Sequence, residues 1–316
     1  MKKTIVKILC LVTALSLLIL PGCSAKPSAE KNPADSSGTG TASAKKPSVY
    51  TSFYVMYDFT KKIGGDKIDV TNLVPAGTEP HDWEPTPNDI ANLEKADVLV
   101  YNGAGMEGWL DKVLETLKNK KLIAVETSKE IKLLENADKG GDLKYDSHVW
   151  LNPMNAKKQM EAIKNALVTA DPSNKDYYEK NYADNAKKLD DLDKEYRDAA
   201  AKFTKKDIIV AHQAFGYICN AYGLRQVAIE GLNAESEPSP AKMAEITKFA
   251  KENNVKYIFF EELISPKVAE AIAKEVGAKT EVLNPLEGLE EGQVQAGKEY
   301  FSVMRENLEA LKRALQ

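Results

Sequence analysis

The sequence predicts an α/β protein of two lobes, each a parallel sheet flanked by helices, joined by one long rigid backbone helix. Three observations carry this. Short β-rich runs alternate with amphipathic helical stretches from Ser48 onward, in two separate blocks, and such alternation implies parallel strands covered by helices. Between the blocks, Asn174 to Phe203 contains neither glycine nor proline. The length, 316 residues, suits two domains of ordinary size.

The first block opens with "SVYTSFYV" as a strand and "YDFTKKIGG" as a helix ending at glycine. "KIDVTNLV" is a strand, "TPNDIANLEKA" a helix with Asp89 early in it, and "DVLVYNG" a strand. "GWLDKVLETLKN" is a helix and "KLIAVE" a strand, followed by loop residues to about Ser147. "NPMNAKKQMEAIKNALVTA" is a helix opened by Asn-Pro, a pair that suits a first helical turn. In the linking stretch, Tyr178, Tyr182, Leu189, Leu192, Tyr196 and Phe203 recur at spacings that put them on one helical face. A helix of that length, roughly 45 Å at ~1.5 Å per residue, is a rod and not a hinge.

The second block repeats the logic. "DIIVAH" is a strand, "QAFGYICNAYG" a helix and "QVAIEG" a strand. "SPAKMAEITKFAKENN" is a helix with Ser239 as N-cap and Pro240 in the first turn, and "VKYIFFEE" is a strand. "SPKVAEAIAKEVG" is a second Ser-Pro helix, "TEVLNPLEG" a strand, and a last amphipathic helix runs to the C-terminus. The divisions that follow are residues 1–22, 23–47, 48–171, 172–203 and 204–316: leader, tether, first lobe, linking helix and second lobe.

The N-terminus sets the compartment. "MKKTIVK" is a basic start, "ILCLVTALSLLIL" an apolar run of leader length, and "LPGCS" resembles a bacterial lipobox. That resemblance implies cleavage before Cys23 and lipid on Cys23. "SAKPSAEKNPADSSGTGTASAKKPS" has no aromatic or large aliphatic residue and reads as a disordered tether. Cys10 leaves with the leader, so Cys219 stands alone in the mature chain, as a buried small hydrophobe in "FGYICNAYG". Lys and Arg total 43 against 47 Asp and Glu, for a net charge of -4, which gives no footprint for nucleic acid.

The chain has only three histidines, His81, His148 and His212. His212 directly follows a strand, His81 lies in the loop after "KIDVTNLV", and His148 lies in the loop after the first lobe's last strand. In open parallel sheets ligands bind outside the carboxyl ends of strands, so the three could meet in the cleft. Three imidazoles leave tetrahedral zinc one ligand short, to be supplied by water or a carboxylate. Glu287, between the rigid Asn-Pro pair and Gly288 in "LNPLEG", is the best candidate. Glu261 and Glu262 compete and are assigned to supporting hydrogen bonds. Asp82 and Glu84, beside His81 and among Pro80, Pro85 and Pro87, read as loop charges.

"GTEPHDWEPTPND", "HVWLNP", "VAHQAFGY" and "LNPLEGL" together resemble the motifs of zinc-uptake solute-binding lipoproteins, the ZnuA/AdcA-like group with a helical backbone. The resemblance runs from about Ser48 to the C-terminus. It implies that His81, His148, His212 and Glu287 hold Zn2+ between the lobes as the transported ligand. It further implies a monomer, lipid-anchored to the outer face of the cytoplasmic membrane, that delivers zinc to an ABC importer permease and its ATPase. Manganese binders of this fold generally place Glu where His212 stands and Asp near Asn284, and imidazole suits zinc better than manganese. "ENADKGGDLKYDS" lacks the histidines that many zinc members carry in this loop.

The competing readings are a receptor for manganese or another divalent metal, a metal-binding adhesin, and a zinc hydrolase with Glu287 as general base. The chain lacks HExxH and G-x-S-x-G, so a receptor without enzymatic activity is expected. Replacing Glu287 by Ala is expected to hurt less than losing a histidine, since water can take its place. Metal binding is expected to weaken below about pH 6 as imidazoles protonate.

Overall fold

The computed structural model describes residues 45–136, 143–232 and 238–316. The expected leader, Cys23 and the tether up to residue 44 lie outside these residues, as does the middle of the histidine-free loop. Among the described residues no helix is long and apolar enough to cross a membrane.

Each block forms a four-stranded parallel sheet. The first contains β1 (Ser48–Thr51), β2 (Asp69–Asn72), β3 (Val98–Tyr101) and β4 (Ile123–Glu126), in the order β2-β1-β3-β4. Val49 pairs with Val70 on one side and Val98 on the other. The second contains β5 (Asp207–Val210), β6 (Arg225–Ala228), β7 (Tyr257–Phe260) and β8 (Lys279–Val282), in the equivalent order β6-β5-β7-β8. In both sheets the first strand is central, so the chain winds one way and then the other. That reversal opens a crevice at the carboxyl ends of the strands.

The helices of the first block are α1 (Tyr54–Gly64), α2 (Pro87–Leu93), α3 (Leu110–Thr116) and α4 (Pro153–Ala170). Then come the linking helix α5 (Lys175–Ala200) and, in the second block, α6 (Gly216–Tyr222), α7 (Pro240–Glu252), α8 (Lys267–Val276), α9 (Glu291–Gln295) and α10 (Tyr300–Leu315). Several start where the sequence signals them. Thr86 and Asp89 form a reciprocal capping box on α2, Asn152 accepts from the Met154 N–H at the start of α4, and Ser239 accepts from the Lys242 N–H at the start of α7.

Four details differ from or add to the sequence reading. "SVYTSFYV" is not all strand: β1 ends at Thr51 and α1 begins at Tyr54. The start of α1 is buried almost all round, and a short apolar run has no periodicity to separate helix from strand. The second Ser-Pro helix forms as expected, but its start differs from that of the first: Pro266 occupies the N-cap of α8 with no side-chain bond. The short helix α9 was not expected in its polar, glycine-containing stretch; Glu290 and Gln293 cap each other there. The linking helix spans 26 residues, about 39 Å at ~1.5 Å per residue, and Phe203 lies beyond its end although it is buried.

The core runs without a break beneath both sheets. α5 contributes Tyr178, Leu189, Leu192 and Tyr196, and these join Val49 and Phe59 from one block to Val210, Phe215 and Phe259 from the other. α10 belongs to the second block but also packs on the first. Tyr300 lies edge-on to Phe59 at 4.9 Å, the Tyr196 hydroxyl donates to the Met304 carbonyl at 2.6 Å, and Lys62 pairs with Glu299 at 2.8 Å. Cys219 is buried in the same core, and burial raises its thiol pKa well above the ordinary range, which keeps it protonated.

A continuous core should unfold as one unit. Leu192 is fully buried, so Leu192→Ala should cost about 2–5 kcal/mol. Urea unfolding followed by tryptophan fluorescence and by circular dichroism should give one coincident transition, shifted to lower denaturant in the variant. Two separated transitions would contradict a shared core.

Candidate metal centre

The three histidines and Glu287 converge at the carboxyl ends of the strands. One donor atom from each lies within 4.8 Å of the others. His81 Nε2 is 3.3 Å from His148 Nε2 and 3.2 Å from Glu287 Oε1, which in turn is 2.6 Å from His148 Nε2. His212 Nδ1 is 4.0 Å from the same Glu287 oxygen. The side chains are between 0% and 4% exposed, so the cluster is sealed from solvent.

Each donor is held by its own local structure. His81 sits in the loop between β2 and α2. Glu79 accepts from the His81 N–H at 3.0 Å, and Trp83 lies edge-on to Trp109 at 5.6 Å, tying the loop to its lobe. The Gly77 N–H reaches across to the Leu289 carbonyl at 3.1 Å. His148 is fixed by Asp146, whose Oδ1 accepts from the His148 N–H at 2.9 Å and from its Nδ1 at 2.8 Å. That bond places the hydrogen on Nδ1 and leaves Nε2 facing the cluster. The Asp146 carboxylate in turn lies against Gly216, where any Cβ would collide with Oδ2.

His212 follows β5 by two residues. Its Nε2 donates to the Leu232 carbonyl at 3.0 Å, because a carbonyl can only accept. Nδ1 therefore points inward, 2.8 Å from Glu261 Oε1. That contact is an ion pair whenever the imidazole is protonated. Among the described residues His212 Nδ1, Glu261 Oε1 and Glu287 Oε2 are all buried without a hydrogen-bond partner. Buried polar atoms are normally paired, and a cation would satisfy the two carboxylate oxygens and, once its proton is displaced, His212 Nδ1.

Glu287 leaves a tight turn after β8. Leu286 takes a left-handed backbone, φ 63°, and is itself buried. Asn284 Oδ1 accepts from the Leu286 N–H at 2.7 Å, and Asn307 hydrogen-bonds both the N–H and the carbonyl of Asn284. A Cβ on Gly288 would come within 2.9 Å of Leu263 and 3.4 Å of the Thr78 carbonyl. Glycine here leaves room for the Leu263 side chain against the turn.

The expected supporting residues divide. Glu261 is buried beside His212, whereas Glu262 accepts from Asn284 Nδ2 and Gln293 Nε2. Asp82 and Glu84 are exposed and outside the donor cluster. Two acids were missed. Asp146 could have been found from its spacing two residues before His148 in "DSH", a common way for a carboxylate to orient an imidazole. Glu79 had no such signal.

Charge is distributed unevenly in the metal-free cluster. Burial opposes protonation of His148, but the Asp146 hydrogen bond and Glu287 outweigh it and push its pKa up to about 9. Burial likewise opposes charge on His212, and Glu261 and then Glu287 outweigh it, pushing the pKa up to about 10. On His81 burial prevails and the pKa falls, Glu287 offsetting it only in part. Burial alone would raise Glu287; the surrounding imidazoles reverse that and hold it well below the usual carboxylate range. Glu79 is pushed up to about 8, by burial and then by Glu287.

The family of the zinc-uptake complex component A, periplasmic, matches residues 49–314. The chain is 45% identical over 314 residues to the high-affinity zinc uptake system protein ZnuA of Bacillus subtilis strain 168, covering 96% of each. It is similar to the crystal structure of Zn(II)-bound AdcA from Streptococcus pneumoniae, with a TM-score of 0.77 and 42% identity over 86% of this chain; it spans 58% of that longer protein. It is also similar to the laminin binding protein Lmb of Streptococcus agalactiae, with a TM-score of 0.78, 37% identity, and 86% of this chain against 100% of that one.

The pKa pattern moves the expected pH threshold upward for two of the three histidines. His148 and His212 carry protons at pH 7 in the metal-free protein, unlike an ordinary histidine, and a divalent ion must displace them. Binding at pH 7 should release about two protons, and affinity should rise with pH through about 9 to 10. Titration calorimetry in buffers of differing protonation enthalpy measures the release. A binding enthalpy independent of buffer would refute this proton inventory.

Proposed function

Because the chain belongs to the zinc-uptake complex component A family, we propose that His81, His148, His212 and Glu287 hold one Zn2+ between the lobes and that the loaded protein presents it to an ABC importer. The observation that carries the assignment of these four is their convergence, with buried donor atoms all within 4.8 Å of one another. Zinc is the cargo. Three imidazole nitrogens and one carboxylate oxygen match its preference for four mixed N and O ligands. Neutral imidazoles and one carboxylate leave the ion with a single net positive charge, and the buried Glu261 carboxylate beside His212 offsets it further.

A manganese receptor fits less well. That ion favours oxygen-rich octahedral shells, whereas three of the four converging donors here are imidazole nitrogens, and Asn284 Oδ1 is committed to the Leu286 N–H. The family is one of metal-binding transport receptors, not enzymes. For this chain a hydrolase would need an open coordination position and room for a substrate, and four buried protein donors offer neither.

The receptor is extracytoplasmic, as its relatives are. The lipobox-like "LPGCS" and the polar stretch after it support anchoring through Cys23 to the outer face of the cytoplasmic membrane. With the lobes at 48–171 and 204–316 and α5 between them, the protein acts as a tethered monomer beside the permease and its ATPase. A second role in adhesion is favoured by one observation. The Lmb relative is described as a bifunctional protein with adhesin and metal transporting activity.

Removing one donor should weaken zinc binding without unfolding the protein. His212→Ala should lower zinc affinity by at least ~100-fold, since leaving a metal ligand out costs more than disturbing the groups around it, themselves worth about 10–100-fold. Glu287→Ala should also lose affinity, with water as a partial substitute. Competition against a chromophoric chelator, after zinc content is checked by elemental analysis, measures both. Affinity unchanged in both variants would sink the site assignment.

A further inference from the structure

One side chain touches both halves of the donor cluster without being a donor. Trp150 lies two residues beyond His148 and is fully buried. Its ring packs at 5.3 Å from the His148 imidazole and 5.1 Å from Phe53, inside the first lobe. Its indole Nε1 donates across the cleft to the Pro285 carbonyl at 2.7 Å. Pro285 immediately precedes Leu286, the residue in left-handed backbone with φ 63°, and Leu286 precedes Glu287. The Trp150 carbonyl accepts from the Tyr300 hydroxyl at 2.7 Å, so the indole is anchored at its backbone as well as along its ring.

We propose that Trp150 is a positioning residue for metal selectivity: its indole N–H holds the strained turn that sets Glu287 against His148, keeping the donor spacing suited to a small four-coordinate ion. A left-handed backbone at a non-glycine residue is uncommon and persists only when its surroundings hold it. Asn284 and Asn307 hold this turn from within the second lobe. They fix its shape, not its distance from the first lobe. The indole bond reaches from the ligand-bearing segment of one lobe to that of the other. It therefore limits how far Glu287 can move from His148, the two being hydrogen-bonded at 2.6 Å in the metal-free cluster.

The consequence is discrimination by size and ligand number. Zinc accepts four protein ligands at short bond lengths, while manganese prefers six, mostly oxygen. A shell clamped at close spacing admits the first and excludes the additional water oxygens that the second requires. Once the clamp is cut, the turn relaxes, Glu287 withdraws and water can enter. Zinc then loses a preorganised ligand, while manganese gains access.

The test is Trp150→Phe, which keeps an aromatic ring and deletes the donor. This inference rests on the zinc-receptor reading, so wild-type protein is titrated first; failure of wild type to bind zinc would sink that reading itself. Zn2+ and Mn2+ affinities are then measured by chelator competition on metal-free wild type and variant, with thermal unfolding of each. A lost buried hydrogen bond should weaken zinc about five- to tenfold, with manganese unchanged or tighter, so the zinc-to-manganese affinity ratio falls by at least the same factor. Unchanged affinities in a folded variant overturn the proposal. Equal weakening of both metals also overturns it, since Trp150 then only fills the core. If phenylalanine prevents folding, 3-benzothienylalanine at position 150 replaces the indole N–H with sulfur at the same shape and is judged by the same ratio.

Discussion

The contact of one Glu287 oxygen with the imidazoles of His81 and His148 is the point on which the two lobes converge. Burying a carboxylate is expensive unless opposite charge or hydrogen bonds compensate it. Here raised pKa values on His148 and His212 supply positive charge in the metal-free protein. The cluster is thus close to self-neutralising before any ion arrives. A cation that binds takes over the role of the protons it displaces.

Such a cluster needs a rigid frame, because four donors from four separate loops have no local reason to stay together. The frame is the apolar core that passes beneath both sheets, stitched by α5 and α10. Its continuity argues against wide opening about a hinge. Of the four ligand-bearing segments, those around His148, His212 and Glu287 are buried, and only the loop that carries His81 is largely exposed. The stiffness that the glycine-free linking helix implied is reinforced by packing on both of its ends.

Much of this was legible. The strand and helix alternation, the helix starts at Thr86, Asn152 and Ser239, and the convergence of the three histidines at strand ends all follow from local chemistry and one rule about parallel sheets. What failed was local ambiguity. "SFYV" is apolar whichever element contains it, and the start of α1 is buried too uniformly to show a period. The second Ser-Pro pair looked like the first, yet only one serine caps a helix. At the site, Glu261 was already a candidate support. Asp146 carried a spacing signal that went unused, and Glu79 carried none, since its proximity to Glu287 and His212 depends on how the lobes face each other.

The sequence by itself determined most of the element order, the helix starts at Thr86, Asn152 and Ser239, the rod between the lobes and the identity of the candidate donors. These depend on residue type and short-range spacing, which are written along the chain. The tertiary structure alone decided the nitrogen that each constrained histidine turns inward, the approach of Glu79 to the cluster, and the cross-lobe bond from Trp150 to Pro285. Those properties belong to groups far apart along the chain, 206 positions for His81 and Glu287 and 135 for Trp150 and Pro285. Their protonation and orientation are set by burial and by neighbours that only the packed lobes bring together.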